Sequence, residues 1–202
     1  MLTYDPVFKS IFSEELHPGR LDMLISDFIG QKVKVIAALP VERIIIDEES
    51  SLLKMDIIAE LENGSLVDVE MQKIGLKFPV ERAFCYGADL LMREYDIVKK
   101  RKHDTFSYKD IKPVYVIIFM EQSYSLFWEM QGQHIHRSRF IFDTGLEMNE
   151  LIKFIFVPLD IFREKYHNKD ININGELNIT RLEAWMYLLS SDRPQDMEML
   201  IK

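Results

Sequence analysis

Hydrophobic positions switch between helical and strand-like spacing along the chain, which predicts an α/β fold. Helical i, i+3, i+4 spacing covers residues 5–12, 20–29, 79–102 and 179–191. Strand-like runs cover residues 33–36, 41–46, 52–59, 66–71, 114–120, 125–128, 134–142 and 151–157. Because helices and strands are interspersed, we expect a mixed central β-sheet flanked by helices, with the apolar run 114–120 as a central strand.

Two of these runs are joined by Asn63-Gly64, a dipeptide typical of a two-residue hairpin turn in which both central residues have positive φ. Asp56 lies eight residues before Gly64 and Glu70 lies six residues after it. The two carboxylates are therefore expected at similar heights on neighbouring antiparallel strands, where directly opposed Cβ atoms are about 5 Å apart.

Two carboxylates this close repel each other unless a shared proton or a cation joins them. Both are flanked by apolar residues such as Ile57 and Val69, and a buried charge without a partner is costly. Oxygen ligands of this kind suit Mg²⁺ or Mn²⁺. Most acidic residues on hairpins are simply solvated, and spacing alone leaves that alternative open.

Four stretches, taken in order, resemble the PD-(D/E)XK nuclease superfamily and, within it, the branch of recombination-promoting nucleases and transposases. They are D-x-x-F-K-x-x-F at residues 5–12, Asp56, V-E-x-Q at residues 69–72, and R-x-x-x-Y at residues 82–86. A strand beginning at Lys112-Pro113-Val114 also fits, and the resemblance runs over residues 4–165.

The resemblance implies a restriction-endonuclease-like core and metal-dependent hydrolysis of DNA phosphodiester bonds. Asp56 and Glu70 would hold Mg²⁺, with the Met71 carbonyl as a further ligand. Gln72 stands where the superfamily usually has lysine, and a glutamine can orient a water but supplies no charge.

The same resemblance places four more residues near the site, as supports or as contacts to phosphate. Asp5 and Lys9 belong to the first helix, and Arg82 and Tyr86 to the long one. Lys9 and Arg82 are the two candidates for the charge that the missing lysine would have supplied.

Domain organisation is expected to be one nuclease-like domain over residues 1–167, followed by a linker and a C-terminal helical segment over residues 168–202. The stretch 168–175 is polar enough for a linker. Members of the resembled family are often longer, so the C-terminal segment is interpreted as a truncated or a naturally short form.

The formal net charge of −8 argues against a protein that coats nucleic acid, because phosphate binding depends on cationic residues. We expect transient DNA contact and no membrane association, since no apolar run is long enough to span a bilayer. The single cysteine, Cys85, excludes an intramolecular disulfide and indicates the cytoplasm. Its helical context predicts a buried small hydrophobe.

Several residues keep two interpretations. Asp68 is either a third metal ligand or a residue at the solvated end of its strand, and Glu60 and Glu62 are expected in solvent. His134 and His136 share a strand face, which suits zinc but more often packing. The basic run 99–103 is either a grip on the DNA backbone or a solvated helix end.

Two other functions also remain open. One is a catalytically weak nucleic-acid-binding or regulatory module of the same fold, acting as a homo-oligomer. The other is an interaction domain without metal.

Overall fold

The computed structural model describes residues 5–13, 15–39, 56–73, 80–166 and 180–191, and it confirms a mixed β-sheet flanked by helices. The helices are α1 (Asp5–Ile11), α2 (Arg20–Ile29), α3 (Val80–Lys102), α4 (Ser125–Trp128), α5 (Leu159–Tyr166) and α6 (Arg181–Ser190). The strands are β1 (Val35–Leu39), β2 (Ile57–Leu61), β3 (Leu66–Gln72), β4 (Val114–Met120), β5 (His136–Arg137), β6 (Phe140–Ile141), β7 (Glu147–Met148) and β8 (Ile152–Pro158).

The main sheet has the order β1-β2-β3-β4-β8-β5. Its interior strands β3, β4 and β8 are parallel, and the remaining pairings are antiparallel. All seven residues of β4 are buried, which confirms the prediction of a central strand covered on both faces.

Helices cover the two faces of the sheet unequally. One face packs against α1, α2, α5 and α6, and on β3 it takes Val67, Val69 and Met71. The other face packs against α3, which contributes Tyr86 and Leu90. Because side chains alternate along a strand, the even-numbered residues of β3 point toward α3.

The helix boundaries follow the local signals in the sequence. α2 ends as predicted at Gly30, whose φ of 82° is left-handed and whose N–H donates to the Ser26 carbonyl at 2.9 Å. In and just after α1, Phe8, Ile11 and Phe12 are buried, which confirms the predicted apolar stripe.

The β2–β3 hairpin is confirmed, but its predicted turn type is wrong. Among the turn residues only Gly64 has positive φ, at 88°. The Gly64 N–H donates to the Leu61 carbonyl and the Leu61 N–H donates to the Ser65 carbonyl, which is the pattern of a three-residue loop with a glycine bulge. Asn63 accepts a hydrogen bond from the Ser65 N–H, so its side chain supports the turn.

Other strand predictions differ from the structure. Residues 125–128 were predicted as a strand but form α4. Four residues are too few for the hydrophobic spacing to distinguish a helix from a strand. The predicted strand 134–142 is interrupted where the Ser138 hydroxyl accepts from the Phe154 N–H and replaces a ladder bond. The first strand begins at Val35 instead of residue 33, and α5 was missed because it follows β8 without a break. The predicted strand 41–46 lies outside the described residues, as do positions 52–55, 79 and 179.

The C-terminal helix packs on the rest of the domain. Arg181 pairs with Asp27 of α2, and the Trp185 ring stacks at a tilt on Phe12. The boundary predicted at residue 167 stays a prediction, because residues 167–179 are not described. Within the described parts of the chain, no helix combines the length and the apolar character needed to cross a membrane.

Candidate active site

Asp56 and Glu70 lie side by side where β2 begins and β3 ends. The Asp56 N–H donates to Glu70 Oε1 at 2.8 Å, and the Met71 N–H donates to Asp56 Oδ2 at 2.9 Å. The register pairs Ile57 with Val69, so Asp56 and Glu70 occupy the next position along the ladder. Each carboxylate is thus held by the backbone of the opposite strand, and the structure brings the two together as the hairpin predicted.

Glu70 shares the α3-facing side of β3 with Asp68 and Gln72. The Gln72 amide donates from Nε2 to Glu70 Oε2 at 2.7 Å, so both Glu70 oxygens accept hydrogen bonds. Gln72 therefore orients the Glu70 carboxylate from two residues further along the same strand. Met71 points to the opposite face, and its side chain is buried among the apolar residues there.

Burial and like charge act together on the acidic cluster. Glu70 is 1 % exposed, and its pKa is raised to about 8, first by burial and then by the charge of Asp56. Burial, followed by the charges of Glu70 and Asp56, raises the pKa of Asp68 well above its usual value. Asp68 is fully buried, and within the described part of the chain no N–H or hydroxyl group donates a hydrogen bond to its carboxylate. The solvated interpretation of Asp68 is therefore wrong.

This donor set fits a hard divalent cation. Holding the two carboxylates together raises the pKa of Glu70, because their negative charges repel. A cation between them would cancel this repulsion. Mg²⁺ commonly uses one or two carboxylates and completes its shell with water. The described residues contain no group of three or more histidine, cysteine or acidic side chains placed to hold a metal, so an all-protein cage is not what they offer.

Two cationic side chains approach the carboxylates from different helices. Lys9 Nζ of α1 lies 3.9 Å from Asp56 Oδ1. On α3, Arg82 Nε donates to the Tyr86 hydroxyl at 2.8 Å, and the charge of Arg82 acts to lower the pKa of Glu70. The structure thus gathers Lys9, Arg82 and Tyr86 around the pair. Asp5 begins α1, but its side chain is outside what the structure describes.

Comparison with known proteins identifies a family for this chain. A family model described as a PD-(D/E)XK nuclease family transposase matches residues 2–202. The chain belongs to this family. No curated protein and no solved structure gives a significant match. Membership suggests a hydrolase that acts on nucleic acid and implies DNA as its substrate. PD-(D/E)XK nucleases generally use divalent metals.

Sequence reasoning missed one ion pair beside the acidic site. Arg93 Nε donates to Asp89 Oδ2 at 2.7 Å on α3, and the charge of Arg93 acts to lower the pKa of Asp68. A signal was present, because Arg82, Tyr86, Asp89 and Arg93 follow one another at spacings of three and four residues. These residues form a polar stripe on the helix face that covers an acidic strand.

The two histidines do not form a zinc site among the described residues. The His134 ring contacts Phe162, which belongs to the cluster on the α2 side of the sheet. The His136 ring contacts Phe127, which packs against the cluster on the α3 side. Burial lowers the pKa of His136. The packing interpretation of this pair is therefore the one that the structure supports.

The basic run at the end of α3 is partly occupied by ion pairs. Arg101 donates to both carboxylate oxygens of Glu60, at 2.7 and 3.0 Å, and Lys102 lies 3.5 Å from Asp110. Glu60 is buried, so its predicted solvation is wrong, whereas Glu62 is exposed as expected. Cys85 is exposed, which contradicts the predicted buried thiol, because its position on α3 faces away from the sheet.

Proposed function

We propose that this transposase-family chain is a metal-dependent DNA endonuclease that hydrolyses phosphodiester bonds in recombination or in the movement of mobile elements. The observation that carries the proposal is the reciprocal bonding of Asp56 and Glu70 across the hairpin. It keeps two mutually repelling carboxylates in place, one buried and one reaching the surface, with 17 % of the Asp56 side chain exposed. A merely structural pair would gain nothing from this repulsion.

In this proposal Asp56 and Glu70 bind Mg²⁺, or Mn²⁺ as a substitute, with the Met71 carbonyl as a further ligand. The bound ion would lower the pKa of a coordinated water and neutralise charge on the phosphate. The Met71 N–H fixes the rotamer of Asp56, and the Asp56 N–H fixes that of Glu70. The backbone of the hairpin therefore sets the geometry of the ligands before any metal arrives.

Gln72 holds Glu70 through its amide nitrogen, and its amide oxygen can accept a hydrogen bond from the attacking water. Lys9 and Arg82 supply positive charge for the phosphate, and Tyr86 positions Arg82 through its hydroxyl. Asp5 is assigned a supporting role at the start of α1. Positive charge thus comes from two helices instead of the strand lysine that is absent.

The test is cleavage of supercoiled plasmid by the purified chain in Mg²⁺ or Mn²⁺, with EDTA as the blank. Asp56→Asn and Glu70→Gln keep the side-chain shapes and remove the charge. Each variant should cleave at least about a hundredfold more slowly, because a lost metal ligand removes several kcal/mol of transition-state stabilisation. Glu62→Gln is the matched control, because Glu62 is exposed in the same hairpin. Equal nicking by all four proteins would refute the proposal.

The second candidate is a catalytically weak module that binds nucleic acid or regulates another protein. Gln72 in place of the strand lysine and the net charge of −8 favour it. A Mg²⁺-dependent rise in melting temperature, abolished by Glu70→Gln and without plasmid cleavage, would identify this module. A chain that neither cleaves DNA nor responds to metal would be an interaction domain. We expect either activity in the cytoplasm, as the single cysteine indicates.

A further inference from the structure

A short hairpin stands apart from the main sheet. We call residues 139–149 the hairpin arm. Its strands β6 and β7 pair with each other and, in the described residues, with no other strand. Every residue of the hairpin arm is exposed, whereas the flanking positions 138 and 150 are half-buried. The arm thus projects from the domain directly after β5, the edge strand of the main sheet.

The hairpin arm has one wholly apolar face. Opposed residues in an antiparallel pair point to the same side, as do residues two apart on a strand. Phe140 lies opposite Met148, and the Phe142 N–H donates to the Leu146 carbonyl at 2.9 Å. Phe140, Phe142, Leu146 and Met148 therefore share one face, and the two phenylalanine rings touch at 4.9 Å between centroids.

The opposite face of the hairpin arm carries an ion pair next to a single apolar side chain, Ile141. Arg139 donates from Nε to Glu147 Oε1 at 2.9 Å, and this ion pair crosses the two strands beside Ile141. The four apolar side chains are 40–60 % exposed, although an amphipathic hairpin normally rests its apolar face on its own domain. A two-stranded hairpin by itself is only marginally stable in water. The arm as built therefore lacks a covering surface among the described residues.

The size of the apolar face suits one half of an interface. At roughly 200 Å² for a large side chain, four side chains at about half exposure offer roughly 400 Å². This is as large as the largest apolar patches on ordinary monomers, which are often functional. Two such faces remove about 800 Å², which is less than the roughly 1,200–2,000 Å² of stable complexes and is the size of a weak interface that forms reversibly.

We propose that the apolar face of the hairpin arm packs against the same face of a second copy of this chain, forming a two-fold symmetric dimer. Each chain carries a net charge of −8, so two copies repel each other at most orientations. The face made by Phe140, Phe142, Leu146 and Met148 has no charge, and the Arg139–Glu147 pair stays in solvent on the outer side. A face that meets itself is complementary by construction, as in most homodimers.

Charge disfavours nucleic acid as the occupant. Arg139 is the one cation within the hairpin arm, and its partner Glu147 neutralises it, while Asp143 adds a negative charge at the tip. Nucleic acid would need unpaired cations at this place.

The hairpin arm lies away from the acidic site along the sheet. The arm follows β5, and three strand spacings, about 15 Å, separate β5 from β3 in the sheet. Dimerisation through the arm can therefore be tested without changing Asp56 or Glu70.

The experiment compares Phe140→Lys with Ile141→Lys by sedimentation over a wide range of protein concentration. These neighbours are 47 % and 49 % exposed, and they point to opposite faces of the arm. We expect a concentration-dependent dimer for the parent chain and for Ile141→Lys, and a monomer for Phe140→Lys. Leu146→Glu, on the apolar face of the second strand, should reproduce the monomer.

Circular dichroism and thermal unfolding check that all variants keep the fold, which an exposed substitution should leave intact. A parent chain that remains monomeric at every concentration overturns the proposal and assigns the face to another kind of molecule. A dimer that survives Phe140→Lys, or one that Ile141→Lys abolishes equally, also overturns it. The latter result would indicate edge-to-edge pairing of strands instead of packing of apolar faces.

Discussion

Glu70 is the residue at which the fold and the proposed chemistry conflict most directly. It is buried, it accepts hydrogen bonds from the Asp56 N–H and from Gln72, and the charge of Asp56 lies beside it. Burial and the neighbouring charge favour the protonated form, whereas metal binding requires the carboxylate. The metal-free protein should therefore carry strain that a divalent cation relieves.

We predict that the free energy of unfolding in EDTA falls as the pH rises from about 5 to 8. The pKa of Glu70 is about 8 in the fold against 4.5 for the ordinary group, so the folded state holds a proton that the unfolded chain releases. Stability from a raised pKa is complete below the unfolded value and is lost as the pH approaches the folded value. The difference sets an upper bound of roughly 5 kcal/mol, of which we expect a few kcal/mol in chemical denaturation.

Glu70→Gln should flatten much of this profile, and Glu62→Gln should leave it unchanged. Mg²⁺ should stabilise the parent chain more at pH 8 than at pH 6, because at the higher pH fewer protons compete for the site. An unchanged slope in Glu70→Gln would contradict the assignment of the titration to this residue.

At the scale of single residues, sequence reasoning could predict those that belong to motifs. Asp56, Glu70 and Gln72 were expected together, and the structure places them together. The burial of Glu60 was not foreseen and that of Asp68 was left open, because whether an acidic side chain on a hairpin is covered depends on the helix that crosses it. Arg101 of α3 reaches Glu60 from 41 residues away, a contact that no local pattern indicates.

At the scale of elements, α3 is the platform that covers the acidic strand. It carries Arg82, Tyr86 and Arg93 toward the site, and it approaches the sheet closely at Gly87. A Cβ added at Gly87 would lie 2.5 Å from Ile152 Cγ2 and 3.0 Å from Phe154 Cζ of β8. The absence of a side chain at Gly87 therefore sets the distance between the helix and the sheet.

We predict that Gly87→Ala destabilises the fold by about 1–3 kcal/mol. Ile152 is β-branched and stiff, so the overlap is relieved by shifting α3 rather than by rotating one side chain. The shift would also move Arg82 and Tyr86, so cleavage should fall together with stability. Gly132→Ala is the matched control, since a Cβ there meets no described atom within 4 Å. Denaturant unfolding of both variants measures the effect. Equal free energies of unfolding for the two variants would show that Ile152 and Phe154 of β8 can move aside at little energetic cost.

The elements that the sequence predicted well are those with strong local signals. Residues 114–120 form a continuous apolar strand, and α2 has both a clear stripe and a terminating Gly30. The misassigned stretches are short or interrupted by tertiary contacts. Residues 125–128 make a single helical turn, and Ser138 breaks a strand by bonding to Phe154. These outcomes depend on neighbours that come later in the chain.

At the scale of the whole molecule, the proposed function requires the chain to bind a polyanion while being acidic itself. Among the described residues, the cations that approach the acidic pair are Lys9 and Arg82, whereas Arg101 and Lys102 are engaged by Glu60 and Asp110. DNA contact should therefore depend on few phosphates, and the divalent ion would add to the positive charge at the site.

We predict that the affinity for a short duplex in EDTA falls by only about tenfold between 50 and 200 mM salt, as expected for roughly two neutralised phosphates. Lys9→Gln and Arg82→Gln should each reduce the salt slope by about 0.9, because each removes one such contact. Lys100→Gln is the control in the exposed basic run of α3. Fluorescence anisotropy of a labelled duplex measures all four proteins.

A thousandfold loss of affinity over this salt range would require about six or more phosphate contacts. If Lys100→Gln lowers the dependence of DNA affinity on salt and Lys9→Gln does not, the phosphate contacts lie at the end of α3. Either outcome would move the DNA path from the Asp56–Glu70 pair toward that helix end. If the slope instead responds to Lys9 and Arg82, the phosphate lies where the two carboxylates meet, and the acidic surface elsewhere limits each encounter to that place.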